Sequence, residues 1–354
     1  MIRMATNVAP NGHVVGAAPV ARRTLRVVAL GGGTGLPVVL EGLKAALFPA
    51  GSEWVPTRDL ERLIGIVTMA DDGGSSGRLR RAFGIQPPGD VRNCLLALSD
   101  GDPTLAALFN HRFEGEGEVG GHSLGNLILT ALTQMEANFP RAVLRASEIL
   151  GIRGRIYPST PDDVTLVAEL GDGSLVAGES QIATARRAIR HVSLRPETAR
   201  ALPRARKAIA AADLVVLGPG SLYTSLIPIL LVRDLTQAIA HSRARVVLVM
   251  NLMTEPGETD EYTAADYLLA IRRHAPSLRV HDVLLNTAPL SGEAVDRYAA
   301  EGGEPVRCRL APLLAMGCRP VQRDLLGTGL PLRHDPHKLA DALLGLLTEV
   351  TRGE

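Results

Sequence analysis

The chain has 354 residues, of which 46% are hydrophobic and only 3% aromatic, and its formal net charge is +1. This length suffices for one large α/β domain or two ordinary ones, and the aliphatic content allows a sizeable core. The near-zero charge and the scarcity of aromatic residues argue against a nucleic-acid surface. No apolar run approaches the 18 residues that a membrane-spanning helix needs.

The N-terminal segment is rich in Ala, Gly, Pro and Val and has no clear periodicity, so residues 1–24 are predicted to be a disordered tail. It contains no apolar stretch typical of a signal peptide. The three cysteines, Cys94, Cys308 and Cys318, show no metal-ligand spacing, and so sparse a count fits a reducing compartment. We therefore expect a cytoplasmic protein.

An apolar strand, Arg26–Leu30, leads into a glycine-rich loop and then into an apolar helical pattern, Pro37–Leu47. Glycine lets the backbone approach a ligand closely, and a helix N-terminus attracts anions. The spacing matches neither the dinucleotide fingerprint nor the P-loop. The loop is therefore either a phosphate site or a tight strand-to-helix turn. Its candidate ligand-binding residues are Gly31, Gly32, Gly33, Thr34 and Gly35.

A second apolar strand, Leu63–Thr68, leads into the polar segment 71–77. Asp71 and Asp72 could bind ribose hydroxyls or a hydrated Mg²⁺ ion beside phosphates, or they could simply form a turn. Gly74 and Ser75 follow, and the Ser75 hydroxyl is either a phosphate donor or a helix cap. The arginines at 78, 80 and 81 either neutralise a phosphate or form a solvated helix face.

Helical patterns continue to Leu150, and Asn93, Ser123 and Asn126 lie near glycine-rich helix starts within them. The segment 121–125 matches the sequence pattern of a nucleophile elbow, but an elbow follows a strand, whereas residues 115–120 are loop-like. We therefore expect Ser123 to be a helix N-cap or a ligand hydrogen-bond donor. His122 is expected to be structural.

Residues 151–195 differ in character, because two apolar segments flank the turn Gly171–Gly173, a hairpin signal. We predict a small β-rich insertion there. The alternation then resumes, with strands at 213–217, 245–250 and 282–286 that are each followed by a helical pattern. Strands separated by helices predict a parallel, doubly wound sheet.

Four glycine-containing or polar loops directly follow strands of this sheet, and loops in that position emerge at its carboxyl edge, where ligands bind. The third is Gly218–Ser221, in which Gly218, Gly220 and Ser221 begin a helix that could hold a second phosphate or a carboxylate. The fourth begins at Asn251 and contains Thr254 and Glu258, which could be caps only. No Cys–His or Ser–His–Asp set suggests a covalent nucleophile.

Six sequence strings occur together and in order: GGGTGL at 31–36, DDGGSSG at 71–77, PPGDVRN at 87–93, GHSLGNL at 121–127, GPGSLYTS at 218–225 and NLMTEPGET at 251–259. With them the chain resembles the bacterial gluconeogenesis factors of the YvcK type, which are relatives of the CofD 2-phospho-L-lactate transferases. The resemblance covers roughly residues 25–350.

The resemblance implies one CofD-like α/β domain over residues 25–354, with a Rossmann-like, doubly wound, mainly parallel sheet and a smaller β-containing subdomain. It also implies a cytoplasmic protein that binds nucleotide-sugars such as UDP-N-acetylglucosamine and supports cell shape and wall synthesis on gluconeogenic carbon sources. That binding role requires no cofactor. The sequence leaves the oligomeric state open, a homodimer included.

The resemblance assigns the loop residues named above to the ligand cleft, together with Tyr262 and Arg297, which look like the Tyr and Arg implicated in nucleotide-sugar binding. Ile229 stands where the family usually has Asn. The transferase branch typically has GGVGG in the first loop, and the GGGTG found here favours the gluconeogenesis-factor branch. The alternative is an Mg²⁺-dependent 2-phospho-L-lactate transferase acting on a deazaflavin acceptor, with the metal at Asp71 and Asp72. A dinucleotide-dependent redox enzyme is the weakest option, since the glycine spacing departs from the fingerprint.

Overall fold

The computed structural model describes residues 25–48 and 59–350, so the predicted tail, residues 1–24, lies outside the described residues. In this part of the chain, short apolar runs form strands that alternate with amphipathic helices. The strands are β1 (Val27–Gly31), β2 (Leu63–Val67), β3 (Arg155–Pro158), β4 (Thr165–Leu170), β5 (Leu175–Ala177), β6 (Ile189–Arg195), β7 (Leu214–Leu217), β8 (Arg245–Val249), β9 (Asp282–Asn286) and β10 (Arg319–Arg323).

Seven strands form one sheet in the order β10-β9-β8-β7-β1-β2-β3, and all of its pairings are parallel. The chain runs outwards in opposite directions from β1 and from β7, so the topological switch point lies between these two strands. The inner strands β1, β2 and β7 are buried throughout, as strands covered on both faces should be. The predicted doubly wound, mainly parallel sheet is confirmed.

The helices lie on both sides of this sheet, and α1 packs against α14 and α3. They are α1 (Gly35–Leu47), α2 (Gly74–Phe83), α3 (Gly89–Leu98), α4 (Pro103–Asn110), α5 (Leu124–Glu136), α6 (Phe139–Ile149), α7 (Glu179–Ala185), α8 (Pro203–Ala210), α9 (Ile227–Leu231), α10 (Arg233–His241), α11 (Ala264–His274), α12 (Gly292–Ala300), α13 (Leu310–Ala315) and α14 (Pro336–Val350). A π-helical turn, Leu222–Leu226, precedes α9 where one continuous helix is expected from the sequence.

No single described helix is long and apolar enough to cross a membrane. One pair of segments, Leu222–Leu231 and Arg233–His241, has that length and composition only when taken together across a bend of 76°.

A second, antiparallel sheet has the order β5-β4-β6, and with α7 it forms the small subdomain. The turn between β4 and β5 contains Gly173 at φ 83°, in keeping with the predicted hairpin. The antiparallel part begins later than the predicted boundary at 151, because β3 pairs with β2 in the main sheet. Ile156 of β3 packs over Gly65, where a Cβ would lie only 2.9 Å from the Ile156 side chain. The segment 151–195 is thus divided between the two sheets.

Candidate functional site

The switch point brings the loop after β1 into contact with the loop after β7. A Cβ on Gly35 would lie 1.9 Å from the carbonyl oxygen of Pro219, and a Cβ on Gly32 would lie 2.6 Å from the Asp90 carboxylate. Gly33 instead has φ 58° and faces open space. Gly35 is therefore required by the packing of the first loop against the third, Gly32 by the close approach of the Asp90 and Thr68 side chains, and Gly33 by its backbone conformation.

Asp90, at the start of α3, accepts a hydrogen bond from a backbone amide of the loop that the sequence predicts to bind a phosphate. The Gly33 N–H donates to Asp90 Oδ2 over 2.7 Å. Burial, assisted by the neighbouring Asp71, raises the pKa of Asp90 to about 6 against the opposing effects of the Gly33 N–H and Arg92. Asp90 is not among the site residues predicted from the sequence, because nothing local shows that it bonds to a residue 57 positions earlier in the chain.

Glu258 makes an equivalent contact at the third loop. Its carboxylate accepts the Tyr223 N–H at 3.1 Å and the Thr224 hydroxyl at 2.8 Å, so it caps the π-helical turn. Burial raises the pKa of Glu258 to about 8, and Glu255 beside it adds to the shift. Both predicted anion cradles are thus in contact with carboxylates of the chain itself.

Asn251 joins the third and fourth loops through two hydrogen bonds with one residue. The Gly220 N–H donates to Asn251 Oδ1 at 3.0 Å, and Asn251 Nδ2 donates to the Gly220 carbonyl at 2.9 Å. Gly220 has φ 136°, which only glycine adopts readily. Ser221 forms a side-chain hydrogen bond with Glu255, and the Gly218 N–H donates to the Leu30 carbonyl at 2.8 Å. These predicted residues therefore lie together at the switch point.

The two adjacent carboxylates of the second loop have separate partners. Asp71 Oδ1 accepts the Gly73 N–H at 2.9 Å, which is turn geometry. Asp72 Oδ1 accepts both the N–H and the hydroxyl of Ser180, at 2.8 and 2.7 Å. Asp72 thereby ties the first turn of α7 to the main sheet, a role that the sequence does not reveal. Gly178 gives it room, since a Cβ there would lie 2.4 Å from Asp72 Oδ2.

No group of three or more His, Cys, Asp or Glu side chains among the described residues could hold a metal ion. Mg²⁺ at phosphate sites commonly uses one or two carboxylates, with water and ligand oxygens completing its shell. A magnesium ion at Asp71 or Asp72 would therefore depend on oxygens that a ligand supplies.

Ser75, His122 and Asn126 form a buried hydrogen-bonded group behind the second loop. Ser75 Oγ lies 2.8 Å from His122 Nδ1 and accepts Asn126 Nδ2 at 2.9 Å. Burial lowers the pKa of His122, assisted by the nearby Arg78 and Arg112. The sequence does not predict this Ser–His pair, because its members are 47 residues apart.

Ser123 and Asn93 belong to the same group through Arg92. The Ser123 side chain is the N-cap of α5, one of its two expected roles, and also accepts a hydrogen bond from Arg92. Arg92 Nη2 donates to Asn93 Oδ1 at 2.6 Å. Gly74, at φ 44°, begins α2 beside this group and faces open space.

Tyr262 and Arg297 lie in different surroundings. The Tyr262 hydroxyl is 2.9 Å from that of Tyr223, and its half-buried ring packs edge-on against Tyr267. Arg297 is exposed on α12. The neighbouring Tyr298 lines the cleft described next, whereas neither Tyr262 nor Arg297 is among the residues that line it.

Two adjoining clefts open at this edge. The edge cleft, of about 200 Å³, has walls from the first, third and fourth loops and from a C-terminal segment. Its lining includes Thr34, Gly35, Val38, Gly220, Asn251, Glu255, Tyr298, Arg333 and His334. The side cleft shares Thr34, Val38 and Arg333 with it and continues between α1, α3 and α4. The C-terminal contribution is missing from the sequence prediction, since the segment before α14 has no periodic pattern.

The surroundings of this edge are rich in carboxylates. The pKa of Glu179 is raised to about 7, first by burial and then by the nearby charges of Asp71, Asp72, Asp90 and Glu255. Glu179 belongs to the small subdomain, so both parts of the chain supply negative charge. An anionic ligand here needs a compensating cation.

Comparison with known proteins identifies the family. Residues 27–326 match the model of a family described as 2-phospho-L-lactate transferase CofD. The chain is 44% identical over 319 residues to the gluconeogenesis factor of Halalkalibacterium halodurans, covering 90% of this chain and 95% of that protein. It is 42% identical over 326 residues to the gluconeogenesis factor of Bacillus subtilis, covering 92% and 98%.

A solved structure agrees with these sequence relatives. The crystal structure of a Bacillus halodurans protein, 43% identical, superposes with a TM-score of 0.84 and covers 91% of this chain and 99% of its own. The chain therefore belongs to the CofD family and groups within it with the proteins named gluconeogenesis factors.

Proposed function

We propose that the chain is a cytoplasmic gluconeogenesis factor that binds a nucleotide-sugar of the UDP-N-acetylglucosamine type in the edge cleft and supports cell shape and wall synthesis under gluconeogenic growth. One observation carries the proposal. Residues from three separate loops, Gly35, Gly220 and Asn251, line a single cleft beside the switch point of a parallel sheet. Ligands of open α/β sheets bind at that place.

The shape of the site supports a ligand with an elongated form. The edge cleft alone is small, but it continues into the side cleft across Thr34 and Val38. A nucleotide-sugar is a chain of base, ribose, diphosphate and sugar, and it suits a groove that crosses the first turn of α1. Contact with Arg297 requires the ligand to extend towards α12, where Tyr298 already lines the cleft.

Isothermal titration calorimetry with UDP-N-acetylglucosamine tests this proposal. We expect saturable 1:1 binding that weakens in Arg297→Ala, which removes a cation beside Tyr298, and in Tyr262→Ala, which removes the hydrogen bond to Tyr223 beside the third loop. Arg141→Ala, an exposed arginine on α6 that lines neither cleft, is the control and should bind like wild type. At 100 times Kd the ligand should stabilise the fold by about 2.7 kcal/mol, visible as a higher melting temperature. Absence of binding at millimolar ligand overturns the proposal.

A phospholactate transferase is the second candidate, favoured by the family match over residues 27–326. A nucleotide-activated phospholactate would give its phospholactyl group to a deazaflavin alcohol and release the nucleoside monophosphate. Asp71→Asn is the informative variant, because Asp72 is bound to Ser180 and its loss would disturb α7. Product formation that Asp71→Asn abolishes supports this candidate, and no product with stoichiometric protein and Mg²⁺ removes it.

A further inference from the structure

The segment between β10 and α14 is a closed loop that crosses the carboxyl edge of the sheet. The Gly327 N–H donates to the Arg333 carbonyl at 2.9 Å, and the Asp335 N–H donates to the Leu325 carbonyl at 2.8 Å. An isolated bridge also pairs Leu326 with His334. These contacts hold the backbone of Arg333 and His334 in place beside the first turn of α1.

Arg333 lies where the two clefts meet, since it lines both of them. It is the only Lys or Arg among the described residues that line either cleft. In the described part of the chain, no hydrogen bond or ion pair reaches its guanidinium group. Two other arginines near this edge already have partners: Arg92 donates to Ser123 and Asn93, and Arg80 forms an ion pair with Asp163. Arg333 is thus an exposed cation that has no hydrogen-bond or ion-pair partner among the described residues, at an edge of the sheet that is rich in carboxylates.

His334 supplies a different group to the same place. His334 also lines the edge cleft, although the residue is only 6% exposed. Its ring bonds to the Met250 backbone, and burial lowers its pKa to about 4, so the imidazole is neutral. The Nε2 atom is buried and has no hydrogen-bond partner among the described residues. A ligand donor would pair this buried acceptor, which is otherwise left unsatisfied.

We infer that Arg333 and His334 are a ligand-recognition pair: the Arg333 guanidinium binds a phosphate of the nucleotide-sugar, and His334 Nε2 accepts a hydrogen bond from a hydroxyl or N–H group of the same ligand. This inference rests on the proposed function and deepens it. The dipole at the start of α1 favours the same phosphate, although the Gly33 N–H itself is bonded to Asp90. Arginine pairs with phosphate through two parallel hydrogen bonds, which gives orientation as well as affinity.

Titration calorimetry with three probes separates the two contacts. UDP-N-acetylglucosamine carries phosphate and hydroxyls, inorganic pyrophosphate has the phosphates without the sugar, and uridine has the hydroxyls without phosphate. Arg333→Ala should weaken the binding of UDP-N-acetylglucosamine and of pyrophosphate at least tenfold, and it should leave the binding of uridine unchanged. His334→Asn retains an amide donor for Met250, but its shorter side chain places no acceptor at the position of Nε2. It should therefore weaken the binding of the nucleotide-sugar about tenfold and leave the binding of pyrophosphate unchanged. Arg141→Ala is the control, and circular dichroism melting shows whether each variant is folded.

The outcomes distinguish this inference from the proposed function. If wild type binds the nucleotide-sugar and both variants bind it equally well, the recognition pair is overturned and the proposed function stands. If wild type binds pyrophosphate in an Arg333-dependent manner but not the nucleotide-sugar, the anion contact stands and the proposed function fails. If no phosphate probe binds wild type, both are overturned.

Discussion

At the scale of single residues, the main result is that the chain places its own carboxylates at its two anion cradles. Asp90 accepts the Gly33 amide, and Glu258 accepts the amide of Tyr223. A helix N-terminus stabilises a side-chain carboxylate for the same reason that it stabilises a phosphate. A phosphate arriving at the first loop must therefore displace Asp90 or lie beside it, and Arg333 becomes important for that reason.

The variant Asp90→Asn tests this competition. Above about pH 6 the wild-type carboxylate is charged and repels a phosphate, so affinity for a phosphate ligand should fall as the pH rises from 5 to 7.5. An amide keeps an acceptor for the Gly33 N–H without the charge. We expect Asp90→Asn to bind pyrophosphate about fivefold more tightly at pH 7.5, since one partly screened charge is worth about 1 kcal/mol. Calorimetry across this pH range measures the difference, with the exposed Asp341→Asn as the control. If Asp90→Asn has the same pH profile as wild type, competition between Asp90 and the phosphate is contradicted.

At the scale of elements, the sequence predicts a strand or helix best where the residues of that element alone determine its conformation. β1, β2 and β7 are buried on both faces, so each is a continuous apolar run that can be recognised locally. The assignment of β3 to the insertion is wrong, because four residues show no periodicity and its partner β2 is far away in the chain. The π-helical turn at Leu222–Leu226 has no local signal either, since Glu258 from another loop caps it.

The site follows the same rule. Residues of the glycine loops could be predicted because close backbone approach demands glycine, as at Gly35. Contacts between distant segments, such as those of Asp90 and Asp72, could not. Neither could the position of Arg333, because it depends on how the loop before α14 folds back across the sheet.

The junction between α1 and the third loop predicts a strong difference between two helical glycines. In Gly35→Ala the new methyl group would collide with backbone, 1.9 Å from the Pro219 carbonyl oxygen, so we expect a loss of at least about 2 kcal/mol in unfolding free energy. Gly345, in α14, has no neighbouring atom within 4 Å of the place that a methyl group would take, and Gly345→Ala should stabilise by about 0.5–1 kcal/mol. Urea denaturation of both variants measures this, and equal effects would refute the tight junction.

At the scale of the whole molecule, the two sheets meet at a carboxylate-rich edge. Glu179 of the small subdomain lies near Asp71, Asp72 and Asp90 of the main domain, and its pKa is raised to about 7. Asp72 holds the same helix through Ser180. Hydrogen bonds therefore attach the subdomain to the main domain, whereas repulsion between like charges opposes this attachment. Because the repulsion depends on the protonation of Glu179, the balance depends on pH.

This balance predicts how stability changes with pH. A carboxyl group whose pKa is raised in the folded state binds its proton more tightly there than in the unfolded chain. Its contribution is complete below the unfolded pKa and is lost as the pH rises through about 7, so the melting temperature should fall between pH 5 and pH 8.5. Glu179→Gln should reduce this slope and stabilise the protein at pH 8 by about 1–2 kcal/mol, after allowance for solvent screening. The exposed Glu114→Gln is the control in calorimetric melts, and an identical slope in both variants would refute the assignment.

The most direct test of the binding site is amide hydrogen exchange with and without 1 mM UDP-N-acetylglucosamine, roughly the concentration at which weak nucleotide sites fill. We predict slower exchange in three separate segments that line the edge cleft: the start of α1, the loop from Gly218 to Tyr223 and the segment from Gly327 to His334. Protection confined to another part of the surface, or no protection in a sample that binds the ligand, would contradict a nucleotide-sugar site at the switch point.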